Sequence, residues 1–113
     1  MVDPPEEFYL TVTTSYSTPT GEGFYYENNL AYAGVAAGIV SGGTGIRWVF
    51  DYWSDAATGT NYAQSNGINM TANMTATANW QLQYFLDVIS PYSTTTGDGW
   101  YDVDSEAHAG VVA

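Results

Sequence analysis

Any chemistry in this chain has to be done with carboxylates, hydroxyls, amides and aromatic rings. The 113 residues hold twelve acidic side chains, one histidine (His108) and one cation (Arg47), with no cysteine and no lysine. Those counts remove thiolate metal sites, thiol nucleophiles, disulfides, Schiff bases and lysine isopeptide cross-links. One histidine cannot assemble a histidine metal triad, and no Gly-x-Ser-x-Gly elbow presents a serine nucleophile. The reading is therefore of a protein that is not an enzyme.

Three groups of residues could still do something. The first is the acidic run Asp98, Asp102, Asp104 and Glu106. On a strand, a spacing of two puts Asp102, Asp104 and Glu106 on one face, about 6–7 Å apart. Hard oxygen ligands so placed could hold Ca2+, although the run lacks the glycine and the length of an EF-hand loop. A solvated acidic edge is the competing reading, and no other cofactor is expected. The second group is the pair of glycosylation sequons Asn69-Met70-Thr71 and Asn73-Met74-Thr75. If residues 68–80 form a strand, Asn69 and Asn73 leave the same face, opposite Met70 and Met74, where a glycosyltransferase could reach them. The third is the set of aromatics Phe24, Tyr25, Tyr26, Trp100 and Tyr101 beside carboxylates, which could stack on sugar rings. A large ring at both Phe24 and Trp100 instead predicts a core position. Arg47 is expected to pair with Asp51 or Asp55, or to lie over Trp48.

The elements that must position these groups read as strands. Apolar residues make up 45% of the chain and aromatics 16%, enough large apolar surface for a core. A net charge of −11 opposes nucleic acid and anionic membranes as partners, and no apolar run reaches the ~20 residues that span a bilayer. No signal peptide is visible, so a mature protein or an excised segment is expected. In "FYLTVTTSY" Phe8, Leu10 and Val12 share one face, as a half-buried strand requires. "IRWVFDYWS" is strongly β-type, and "LAYAGVAAGIV" is read as strand despite its alanines because Gly34 and Gly38 weaken a helix. Residues 68–80 and 82–89 read as two further strands. No segment shows helical periodicity with caps at both ends. The fold class is all-β: a small antiparallel sheet or sandwich module with a partial second repeat.

That repeat is the main feature of the chain. Residues 8–37 align without a gap on residues 84–113 at an offset of 76, with fourteen identities that include Leu10/Leu86, Val12/Val88, Gly21/Gly97, Gly23/Gly99, Tyr25/Tyr101 and Val35/Val111. Phe24/Trp100, Glu22/Asp98 and Phe8-Tyr9/Tyr84-Phe85 are conservative pairs besides. Duplication accounts for this and chance does not. The organisation is an extended lead-in (1–7), a complete unit (8–83) and the opening half of a second unit (84–113). His108 falls where the first copy has Tyr32, so it is a poor candidate for an obligatory base.

The Tyr9-Leu10-Thr11-Val12 strand, the segment "WVFDYWSD" and the strand "INMTANMTATANW" together resemble a divergent branch of the internalin-type B-repeat family. Asp51 departs from that family, which has a small glycine there. The way "QLQYFLDVISPYSTTTGDGWYD" runs one unit into the next resembles tandem archaeal surface proteins. The resemblance covers residues 8–113 and implies a β-rich module strung in tandem on secreted or cell-surface proteins, with no catalytic residues. The half unit lacks counterparts of Trp48, Trp53 and Trp80, so its open face and edge must be met by something. It could fray after excision, pack on its own chain, or be completed by a neighbour through Tyr84, Leu86, Val88, Trp100 and Val111. Expected partners are therefore copies of itself or neighbouring repeats, and glycans. The expectation is an extracellular structural repeat, a subunit of a surface filament or array assembled head to tail by strand addition. The alternative is a carbohydrate-binding adhesive module.

Overall fold

The computed structural model describes residues 5–89, 95–103 and 110–111. Asp104, Glu106 and His108 lie outside the described residues. In chain order the strands are β1 (Glu7–Thr13), β2 (Pro19–Thr20), β3 (Gly23–Tyr26), β4 (Leu30–Ala31), β5 (Gly34–Val35), β6 (Ile39–Gly43), β7 (Ile46–Asp55), β8 (Ile68–Asn69), β9 (Met74–Leu86), β10 (Thr95–Thr96), β11 (Gly99–Asp102) and β12 (Gly110–Val111). Among the described residues there is no helix, and the fold is all-β.

The chain divides into two compact units, each considered over its described residues. The larger comprises Met1–Gly38 and Phe50–Trp80, the smaller Ile39–Val49 and Gln81–Ala113. The hairpin of β6 and the start of β7 thus belongs to the smaller unit, with residues of the second copy. β7 and β9 contribute to both.

In the larger unit β1 lies between β3 and β9. It runs antiparallel to β3, with Tyr9 opposite Phe24, and parallel to β9, with Leu10 opposite Met74. The sheet is therefore mixed, not purely antiparallel as expected. About sixty residues separate β1 from β9, room enough for the crossover that parallel pairing requires. Alternation in β1 acts as expected: Leu10 and Val12 are buried and Phe8 packs against the core. That core adds Val35, Trp53, Ile68, Met70 and several alanines, with Tyr25, Phe50, Met74 and Trp80 around it. Phe50 meets Trp53 at 5.2 Å and the edge of Trp80 at 5.7 Å. Both indoles find acceptors, Trp53 Nε1 on the Asn61 carbonyl (2.9 Å) and Trp80 Nε1 on the Thr14 hydroxyl (2.8 Å), as polar atoms on buried rings must.

Two expected strands are rearranged. The strand expected over 30–40 breaks into β4, β5 and the start of β6; within it Gly34 is packed so closely that a Cβ would come within 2.4 Å of the Ala63 carbonyl oxygen. Residues 68–89 do not form two strands meeting near residue 81. The break falls instead at the bends of 71–73, between β8 and β9, and β9 continues unbroken past Trp80. The small and amide side chains of Thr71, Ala72 and Asn73 tolerate a bend, whereas Trp80, Leu82, Tyr84 and Phe85 suit extended backbone.

The β1–β3 ladder carries a titratable contact. The Tyr9 hydroxyl donates to Glu22 Oε2 (2.9 Å), while Glu22 Oε1 accepts the Val12 amide (2.9 Å). That hydrogen bond, then burial and the carboxylate's charge, hold the Tyr9 phenol above its usual range. A raised folded-state pKa favours the neutral phenol, so this contribution is intact below about pH 10 and is lost as pH rises through the shifted value. In Glu22→Gln the Tyr9 transition should move down toward ordinary tyrosine, which ring-carbon NMR across an alkaline titration will read.

Candidate assembly site

The duplication seen in the sequence is repeated in backbone geometry. Opposite β1, β3 pairs Phe8 with Tyr25 and Leu10 with Gly23; opposite the end of β9, β11 pairs Tyr84 with Tyr101 and Leu86 with Gly99. Each pair is displaced by 76 residues from its twin. The β2–β5 bridge (Pro19–Val35, Thr20–Gly34) recurs as β10–β12 (Thr95–Val111, Thr96–Gly110). The Tyr25 hydroxyl donates to the Gly21 carbonyl at 2.6 Å, and Tyr101 to that of Gly97 at 2.6 Å. The backbone bond from Glu27 N–H to the Glu6 carbonyl (2.8 Å) recurs from Val103 to Leu82 (2.8 Å). Even the edge-on ring pairs match, Tyr9–Phe24 at 4.8 Å and Phe85–Trp100 at 5.3 Å.

What differs is the neighbour on the other edge of the opening strand. In the second copy the hairpin of β6 and β7 takes that place. The Phe85 amide donates to the Gly45 carbonyl (2.9 Å). The guanidinium carbon of Arg47 lies 4.2 Å from the centre of the Trp100 ring, a cation–π distance. Its Nε donates to Gln83 Oε1 (2.7 Å), and Gln83 Nε2 donates onward to Asp102 Oδ1 (2.7 Å). In the first copy the corresponding amide, Tyr9 N–H, donates instead to the side-chain oxygen of Asn73 (2.9 Å). Phe24, the counterpart of Trp100, is 67% exposed, and Tyr26 is 50% exposed.

Two expectations are corrected here. Arg47 engages Trp100 and Gln83, and among the described residues it makes no ion pair with Asp51 or Asp55, because β7 adjoins the far end of β9 and aims residue 47 across it. Phe24 does not fill the core. Tyr25 turns inward to reach Gly21, and strand alternation then sends Phe24 and Tyr26 outward.

The other sequence-derived residues fall as follows. Tyr84 is 47% exposed, and Leu86 and Trp100 are half-buried within the β9–β11 ladder. Val88 is half-buried beyond the end of β9, and Val111 lies in β12 opposite Thr95. Asn69, in β8 opposite Leu30, and Asn73, in the bend before β9, are both exposed. Asp102 is exposed and accepts the Gln83 amide. Among the described residues no three acidic or histidine side chains gather as a metal would require, and no helix is long and apolar enough to cross a membrane. Sequence reasoning missed Gly45, Gln83 and the Asn73–Tyr9 contact. The pairing of Glu7 with Gln83 one residue upstream of the aligned repeat was the available signal for the second.

Arg47→Ala is expected to loosen the smaller unit by about 1–2 kcal/mol, removing one cation–π contact and one side-chain hydrogen bond. Amide exchange at residues 99–102 should accelerate about 5–30-fold. Arg47→Lys should fall between, since it keeps charge but loses the planar donor that meets Gln83. Comparison with family models, with curated proteins and with solved structures finds no match to this chain, so the two copies and the hairpin between them are the ground on which function is read.

Proposed function

We propose that this chain is a non-enzymatic structural repeat module of an extracellular or cell-surface protein, joining units head to tail by strand addition into a filament or array. The observation that carries this reading is the hairpin of Ile39–Val49, which lies inside the first repeat in sequence yet pairs with the opening strand of the second. A unit that extends a hairpin onto the next unit's first strand has a heterologous joint, and a joint of that kind propagates unless its rotation closes. The resemblance to B-repeats supports the same role. A surface setting fits the net charge of −11 and the two exposed sequons, where Asn69 would carry a glycan and Asn73, whose side-chain oxygen accepts the Tyr9 amide, would carry one only in a unit with no hairpin docked at that edge. Intact mass of native material tests that modification, and an unmodified mass removes it.

Proteins of two, three and four units in tandem, sedimented and imaged in negative stain, test the assembly reading, because the hairpin of a single chain is already taken by its own second copy. Rods that lengthen by a constant increment per unit are expected. Flexibly linked beads with no constant increment overturn it.

One observation favours a second reading. Phe24 and Tyr26 stand exposed beside Tyr9 and Glu22, which is how an aromatic platform for a sugar ring is built. An adhesive module would bind polysaccharide and lose that binding in Phe24→Ala while its sedimentation stayed unchanged.

A further inference from the structure

The first copy has the same opening ladder as the second, and β9 covers its other edge from Leu10 onward, but among the described residues no hairpin lies against its Glu7–Tyr9 edge or its outer face. We infer that this edge and face, formed by Glu7, Tyr9, Phe24 and Tyr26, accept the Ile39–Val49 hairpin of another repeat unit of the same kind placed ahead of it. This rests on the head-to-tail reading above and names the site and the occupant.

Three features of the chain fit that occupant. The Tyr9 amide points away from β3, as the Phe85 amide does from β11, and Asn73 supplies to it the oxygen that Gly45 supplies to Phe85. Asn73 therefore stands in for the carbonyl of an arriving hairpin and gives way to it. Phe24 offers an exposed ring where Trp100 lies beneath Arg47. Glu7 is exposed where Gln83 accepts the Arg47 Nε, so an incoming arginine meets a carboxylate in place of a neutral amide. The lone cation of the chain thus has a complementary anion and ring waiting at the twin position. The exchange of Trp100 for Phe24 is offset by the exchange of Gln83 for Glu7, since a phenyl face attracts a cation less than indole does.

The joint can be built without altering the acceptor. Residues 1–82 placed directly ahead of residues 7–113 keep the repeat spacing and leave the whole acceptor sequence from Glu7 onward in place. Peptides that cross the junction are unique in sequence, so exchange at Glu7 and Tyr9 of the acceptor can be read apart from the added unit. Those amides should exchange at least about tenfold more slowly than in the 113-residue chain. Arg47→Ala in the added unit alone should restore most of the faster rate. Asn73→Ala should speed Tyr9 exchange in the 113-residue chain but not in the joined acceptor, where Gly45 has replaced the asparagine. Unchanged exchange at Glu7 and Tyr9 with residues 99–102 still protected overturns the acceptor site and leaves the head-to-tail reading standing. Loss of protection at both places overturns both.

Discussion

Trp53→Ala is expected to cost about 3–5 kcal/mol, the range for emptying a buried aromatic position. Trp53 is 3% exposed and is the one tryptophan among the buried core residues described. Its ring meets Phe50 and its Nε1 donates to the Asn61 carbonyl, so alanine opens a cavity and also releases an acceptor in the loop of residues 56–67. That loop packs Ser65 against β5's approach, where the Ser65 hydroxyl accepts the Ala33 amide (3.0 Å). Losing the indole therefore loosens a second layer as well as the first. Trp53→Phe separates the two contributions. It keeps a six-membered ring in the site but drops the donor and leaves a smaller cavity, and should cost about 1–3 kcal/mol. Urea titration followed by circular dichroism measures both. Trp53→Ala within 1 kcal/mol of Trp53→Phe would mean that the cavity collapses and that the hydrogen bond carries the effect.

How much of this was legible beforehand depends on what period-2 alternation can say. Leu10 and Val12 alternate with threonines, so both the strand and its buried face could be read from β1. The length of β7 followed from nine successive residues that suit extended backbone. In "GFYY" alternation gives two faces that are both aromatic, and nothing within one copy says which is inner. The two copies together do say it. The inward residue is identical (Tyr25/Tyr101), while the outward ones differ (Phe24/Trp100, Tyr26/Asp102). The inward side chain must reach one particular carbonyl, whereas the outward ones answer to whatever covers them. The partner of Arg47 could not be read, because Trp100 is more than fifty residues away and reaches it through a third strand. The parallel pairing of β1 with β9 was hidden for the same reason: register between distant strands is set by core packing, not by local turn chemistry.

Gly21→Ala is the second large expected effect, at about 2–4 kcal/mol, from adverse backbone conformation together with overpacking. Gly21 has φ of 86°, where an alanine is strained, and a Cβ there would stand 2.0 Å from the Tyr32 carbonyl oxygen. That neighbour is backbone and cannot swing aside, so β3 or the segment before β5 must move. The Gly21 carbonyl is also the acceptor that draws Tyr25 inward, and turning Tyr25 inward is what leaves Phe24 and Tyr26 facing out. Disturbing this one turn should therefore do more than lower stability. It should blur the β1–β3 register on which the outward face depends. Gly97 occupies the same place in the second copy, with φ of 89° and the same tyrosine hydroxyl on its carbonyl. Gly97→Ala should accordingly raise exchange at residues 99–102 and loosen Arg47 from Trp100, while the core around Trp53 keeps its protection. If Gly97→Ala instead leaves 99–102 unchanged, the β9–β11 register is held by the Arg47 hairpin and not by the turn, and Arg47→Ala becomes the more damaging of the two substitutions.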